Sequence, residues 1–355
     1  MILKFASVRF LKSVEVSNEE NAKQPESFAS IGKVEAVRRM YAESLFSYCN
    51  VLSMPSSGSG KAVRSSSVLF LEGTDFDLVY TPLKHLGYKS TLAALGELYV
   101  KMALPYGMAV RFGVSAKLDF PQVRELWSGI VAAAKEHGVK AVSFDLQPSK
   151  NGLAISVSAF GAVPSGLKEP EAPRSMDLIC VSDNLGSAYM GLHVLEREKA
   201  AFNASSDKDR QPELAKYEYL LKAYLRPEIK GGIVKEFEEA GFVPSCGYFV
   251  RNGLADAVKR LSSDTGLGAK IYLDRIPIAD KVFEMAEEIG MDPVAAALNG
   301  GDDFRYLFTI PIGRHDAFRR DFQTFDVIGH LAKPEARAVI VTPEGAELPL
   351  HAQGW

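Results

Sequence analysis

Cysteine is scarce in this 355-residue sequence: Cys49, Cys180 and Cys246 are odd in number, far apart and outside any C-x-x-C pattern. That excludes a disulfide framework and a structural zinc site, and it implies a reducing, cytoplasmic setting. No apolar run approaches the ~20 residues that a membrane-spanning helix requires. No run of five or more basic residues occurs, and the net charge is only −3. A nucleic-acid partner or an anionic membrane surface would need a stronger basic footprint, so neither is expected. The opening Met1-Ile-Leu-Lys-Phe is apolar and mildly basic, but polar residues follow from Lys12 to Pro25, so it is read as mature protein rather than a signal peptide. His85, His193 and His330 lack metal-ligand spacing and are read as packing or surface residues.

What is present is a chain with 47% apolar and 24% charged residues, long enough for about two domains and a sizeable core. Polar residues 18 to 30 read as a loop before a helix from about Lys33 to Phe46. Val68-Leu-Phe-Leu71 reads as a buried strand, and Pro82 to Met102 as a helix interrupted by Gly87. Strand patterns follow at Met108 to Ala116, Lys140 to Phe144 and Leu153 to Ala162, with a helix from Pro121 to His137 between the first two. The Pro-, Gly- and charge-rich stretch from Pro164 to Pro173 marks a boundary, giving domains 1–165 and 174–355. Beyond it, Asp177 to Val181 is a strand and Ser187 to Lys199 an amphipathic helix, with a polar loop from Ala204 to Gln211. Further helices are expected at Leu214–Leu225, Ile229–Ala240, Leu254–Thr265 and Pro277–Ile289, and strands at Phe304–Pro311, Asp326–Leu331 and Ala338–Thr342.

Several segments carry a resemblance. Leu71-Glu-Gly-Thr-Asp-Phe-Asp, continuing to Leu86-Gly-Tyr-Lys-Ser90, is followed in order by Asp177-Leu-Ile-Cys-Val, Gly186-Ser-Ala-Tyr-Met-Gly-Leu, Asn299-Gly-Gly-Asp-Asp-Phe-Arg and the closing Ala352-Gln-Gly-Trp. Together they resemble thiamine-monophosphate kinases, in the version associated with Bacteroidetes-type bacteria, over essentially all of Val68 to Trp355. The resemblance implies an α/β (α+β) two-domain fold shared with aminoimidazole ribonucleotide synthetase and selenophosphate synthetase. Its N-terminal mixed sheet would pair with a twofold mate in a homodimer, and its C-terminal α/β domain would close over a nucleotide cleft. The implied cofactors are magnesium and ATP, and the implied substrate is a small molecule, thiamine phosphate.

Phosphoryl transfer gathers several negative charges, and hard magnesium ions on oxygen ligands neutralise them. At the five places where the resemblance implies aspartate ligands, this sequence departs from the pattern. The region Phe46 to Leu52 has no carboxylate, and Val68 stands where a second ligand would be. Glu97 and Asp145 are the two carboxylates that remain as candidate metal ligands, although the glycines beside Asp145 are gone. Arg251 and Asn252 replace the last Ser-Asp pair, and together with Asp145 they are the candidate nucleotide-binding residues. A guanidinium at position 251 pairs well with phosphate oxygens and suggests that a fixed charge replaces a metal charge. The substrate side matches better: Asp302, Asp303 and Trp355 align with the implied pocket, and Asp75 stands where a pocket histidine would be. No residue is assigned a catalytic role.

Plainer readings stand beside these. Glu97 suits an exposed helix face and Asp145 a solvated strand end. Gly300 and Gly301 suit a simple turn, and Trp355 a frayed terminus. Ser56-Ser-Gly-Ser-Gly-Lys61 lacks the first glycine and the final Ser or Thr of a phosphate loop and is read as an ordinary loop. Two functions follow: an ATP-dependent kinase of thiamine phosphate with its metal ligands largely lost, or a non-catalytic small-molecule-binding or regulatory paralogue on the same dimeric scaffold.

Overall fold

A computed structural model describes residues 28–31, 33–44, 46–47, 62–205 and 214–352. The Ser/Gly run at 53–61, most of the polar loop at 204–211, and Trp355 therefore lie outside the described residues.

Two short helices, α1 (Phe28–Ile31) and α2 (Lys33–Ala42), precede the first sheet. The order is then β1 (Val63–Leu71), α3 (Leu83–Val100), β2 (Leu104–Ser115), α4 (Phe120–Glu136), β3 (Ala141–Ser149) and β4 (Ala154–Ala162). The four strands lie in the order β1-β4-β2-β3. β4 runs antiparallel to both neighbours, whereas β2 and β3 are parallel, because α4 carries the chain back across the sheet between them. A capping box starts α4: Asp119 accepts from the Gln122 amide, and Gln122 accepts from the Asp119 amide.

Two sequence expectations are corrected in this half. Val68–Leu71 belongs to a longer strand at the edge of the sheet, where Val68 and Phe70 are buried but Leu69 and Leu71 are 52% and 40% exposed. Period-two alternation puts the latter pair on the outer face. Gly87, expected to interrupt its helix, lies within an unbroken α3 at the crossing with α4. A Cβ at Gly87 would stand 2.0 Å from the Leu126 carbonyl oxygen, and one at Gly129 would stand 1.9 Å from that of Lys84. The glycines let the two backbones touch.

The second half contains β5 (Leu178–Ser182), α5 (Ser187–Ala204), α6 (Glu218–Leu225), α7 (Ile233–Glu239), β6 (Cys246–Val250), α8 (Leu254–Thr265), β7 (Gly268–Tyr272), α9 (Asp280–Ile289) and α10 (Pro293–Asn299). It closes with β8 (Arg305–Ile310), α11 (His315–Asp321), β9 (Phe325–Ala332), β10 (Ala338–Val341) and β11 (Glu347–Pro349). Its seven strands take the order β11-β10-β7-β9-β5-β8-β6. β6, β7, β11, α10 and α11 were not anticipated. They are three to seven residues long, too short for periodicity to identify. The expected helix at 229–240 begins only at Ile233, after Gly231 and Gly232, and the one expected to reach Phe46 ends at Ala42.

α3 lies between the two halves, packing on β1 and β4 on one side and on β6 and β8 on the other. One continuous core runs from Phe70 and Val157 through Leu95 to Phe249, Phe304 and Phe308. Gly96 makes that contact close: a Cβ there would stand 2.3 Å from the Phe249 ring. Among the described residues no helix is long and apolar enough to cross a membrane.

Candidate functional site

β6 and β8 are antiparallel neighbours, so the loop leaving β6 at Arg251 meets the loop entering β8 at Asp302. The Asp302 amide donates to the Arg251 carbonyl, and the Phe304 amide donates to that of Val250. Gly301, Asp302 and Phe304 have φ values of 77°, 59° and 56°. A left-handed conformation in two non-glycine residues is strained by about 1–3 kcal/mol each, so packing and charge must hold the turn. The turn sends the two adjacent aspartates in different directions.

Asp302 turns toward α3 and forms an ion pair with Lys89, Nζ to Oδ2 at 2.8 Å. The Lys89 side chain is only 4% exposed, and its ammonium sits 3.7 Å from the centre of the Tyr224 ring. Burial lowers the Lys89 pKa, and the neighbouring Asp302 carboxylate opposes that shift. Asp303 turns toward the start of α5 and accepts hydrogen bonds from the Gly186 amide at 2.8 Å and the Ala188 amide at 3.3 Å. It therefore supplies, from a distant segment, the cap that Gly186 cannot. Burial pushes its carboxyl up to about 6, even though both amides and Arg305 favour the charged form.

Arg251 extends to the first half of the molecule. Its guanidinium lies 4.4 Å from the centre of the Phe70 ring, and Nη2 stands 3.2 Å from Asp75 Oδ1. Asp75 is itself held by the Leu71 amide, 2.8 Å from its other oxygen. Arg251 Nε is buried without a hydrogen-bond partner. Asn252 follows on the same turn, close against Gly301. Four predicted residues, Asp75, Arg251, Asn252 and Asp302, are thus brought to one seam between the two sheets.

The predicted metal ligands are placed differently. Glu97 lies on α3 about two turns beyond Lys89, faced by Arg260 of α8 at 3.7 Å. Burial raises the Glu97 pKa, and Arg260 and Lys101 oppose that shift. Arg260 also approaches Asp256, Nε to Oδ2 at 3.0 Å, so its guanidinium stands between two carboxylates. Asp145 is on β3, at the opposite edge of the first sheet from β1, in register with Arg111 and accepting from the Leu146 amide at 2.9 Å. Among the described residues no group of three or more His, Cys, Asp or Glu side chains could hold a metal ion. Trp355 lies outside the described residues.

Sequence reasoning missed Lys89, Arg260, Lys101 and the pair Asp77–Lys199, 2.6 Å apart, which joins the loop after β1 to α5. One signal was available. Lys89 and Glu97 are charged positions on a helix whose other residues are mostly apolar and buried, and Lys101 caps its C-terminal end.

No protein-family model matches the chain. In sequence it is similar to the thiamine-monophosphate kinase of Aquifex aeolicus, 25% identical over 260 residues that cover 73% of this chain and 79% of that protein. It is also similar to the carbamoyl dehydratase HypE of Azotobacter vinelandii, 24% identical over 228 residues and 62% of each protein. In fold it matches the crystal structure of the Aquifex aeolicus thiamine monophosphate kinase with a TM-score of 0.65 and 21% identity, covering 81% of this chain and 90% of that one. A structure of that kinase complexed with AMPPCP and TMP matches at a TM-score of 0.66 with 21% identity, covering 81% and 85%. The chain therefore has the two-domain synthetase-like fold of the thiamine-monophosphate kinases, which HypE shares, and it resembles those kinases in sequence.

Proposed function

We propose that the chain is a thiamine-monophosphate-kinase-like protein that binds a small phosphorylated ligand in the seam between its two domains, 1–165 and 174–355, and that it has lost metal-dependent phosphoryl transfer. The observation that carries this reading is the state of the carboxylates: Glu97 is faced by Arg260, Asp75 by Arg251 and Asp302 by Lys89. A hard divalent cation needs several oxygen ligands free to turn toward it. Here one oxygen of each of these carboxylates faces a Lys or Arg side chain and the second oxygen of Asp75 accepts from the Leu71 amide, so the donor set does not fit magnesium. No catalytic step is assigned through a metal.

Similarity to kinases, one of them complexed with AMPPCP and TMP, supports a nucleotide or thiamine phosphate as ligand. The outer face of β1, with Val63, Leu69 and Leu71 exposed, supports a homodimer formed through the first sheet. Low cysteine content supports a cytoplasmic location.

Calorimetric titration tests the proposal: ATP is added with magnesium and then with EDTA, and thiamine monophosphate is added under each condition. Binding of thiamine monophosphate that is unaffected by EDTA, with no turnover, is the expected result. Magnesium-dependent binding of ATP in the micromolar range, with turnover lost in Glu97→Ala and Asp145→Ala, would establish a working kinase instead.

A further inference from the structure

Every charged side-chain link just described joins the first half of the molecule to the second, apart from the one between Arg260 and Asp256. Asp75 with Arg251, Asp77 with Lys199, Lys89 with Asp302, and Glu97 with Arg260 all span the seam. Two uncharged-partner links join them: Lys101 Nζ donates to the Gly247 carbonyl at 2.8 Å, and the Tyr80 hydroxyl donates to Glu196 at 2.5 Å. In the four ion pairs the charges balance, four acidic against four basic. A cleft that closes around a metal and a polyphosphate has the opposite design, since its facing carboxylates repel one another until the cation arrives.

We propose that the seam is a self-neutralised latch: the chain's own cations hold the two halves closed, with Arg260 bridging Glu97 and Asp256 where a closing metal would otherwise be needed. The two carboxylates come from different halves, Glu97 from α3 and Asp256 from the first turn of α8, and one guanidinium lies within ion-pair distance of both, 3.7 Å from Glu97 and 3.0 Å from Asp256, without a hydrogen bond between Nε and Asp256 Oδ2. The guanidinium is further fixed by donating to the Phe249 carbonyl at 3.1 Å. A tethered cation cannot dissociate, so closure becomes a property of the ligand-free protein. This inference is independent of which ligand the seam takes, and of whether thiamine monophosphate is that ligand.

Hydrogen exchange read by mass spectrometry on peptides covering 89–101 and 251–264 tests it. In the unaltered protein, exchange in both peptides is expected to be the same in EDTA and in magnesium, with no nucleotide added. In Arg260→Met both peptides exchange at least about tenfold faster while the α4 peptide is unchanged, and manganese slows the variant but not the parent. Glu97→Gln preserves shape and removes one charge, so a several-fold acceleration confined to the same peptides is expected even where Arg260→Met loses its fold. Seam protection that develops in the unaltered, ligand-free protein only when magnesium is added would overturn the latch. So would unchanged exchange in Glu97→Gln.

Discussion

Gly87 and Lys89 are two residues apart on α3, about 200° around the helix, and they serve contrasting contacts. On the Gly87 side α3 meets α4 through backbone, with no side chain between Gly87 and the Leu126 carbonyl or between Gly129 and the Lys84 carbonyl. Toward the second half it packs Gly96 against the Phe249 ring within the shared core and adds charge around that packing, with Lys89, Glu97 and Lys101 each engaging a group on that half. The first contact is short-ranged and intolerant of added volume. The charged links of the second are longer-ranged and tolerate shape change better than loss of charge. One helix thus anchors the first half internally through backbone and joins it to the second through apolar packing supplemented by charge.

Breaking the glycine contact is expected to have the largest effect. Gly129→Ala places a methyl against the Lys84 carbonyl oxygen, so the helices must separate, at a loss of about 3 kcal/mol or more in urea unfolding. Lys89→Ala comes next. Removing one partner of a buried ion pair destabilises by roughly 3–5 kcal/mol, but Asp302 is 23% exposed and partly rehydrates, so a loss of about 2 kcal/mol is expected. Equal effects from the two substitutions would erase the contrast between the faces.

The smallest effect per step read, a change per pH unit, concerns Asp303, which belongs to neither face and sharpens the comparison as a carboxylate without a cation directly on it. Its folded pKa of about 6 lies above its ordinary 3.8. Between those values the folded state keeps a proton that the unfolded chain has released, so the stability contribution of this group falls as pH rises from about 4 to about 6 and is level above that. The expected slope is about 1 kcal/mol per pH unit near pH 5. Thermal unfolding of the parent and Asp303→Asn across this range checks the sign, and the variant should lack this component of the slope.

Much of the fold was legible. α8 was expected at Leu254–Thr265 and is found there, because Gly253 and Gly266 frame a clearly amphipathic stretch. α3 was legible over Pro82–Met102 with an interruption at Gly87, since a glycine at a helix crossing and one that interrupts a helix look alike in one chain. The short strands β6 and β7 carry too few residues to show a period, and the pairing that defines them comes from β8, β9 and β10. For the site, the resemblance singled out Asp302 as a match and Arg251 as a departure, whereas the side chains that face them were not legible. Asp75 and Arg251 stand 176 positions apart, and nothing local couples them.

The sequence by itself determined the fold class, most of the long elements and the list of charged residues worth following, because periodicity, capping and composition are local properties. Only the tertiary structure decided which carboxylates are already engaged. Asp302 and Asp303 are adjacent in the chain and chemically identical, yet one faces a buried ammonium and the other caps a helix. The left-handed turn and the meeting of the two halves across α3 make that difference, since the charge state and availability of a carboxylate depend on what the fold brings within a few ångströms of it.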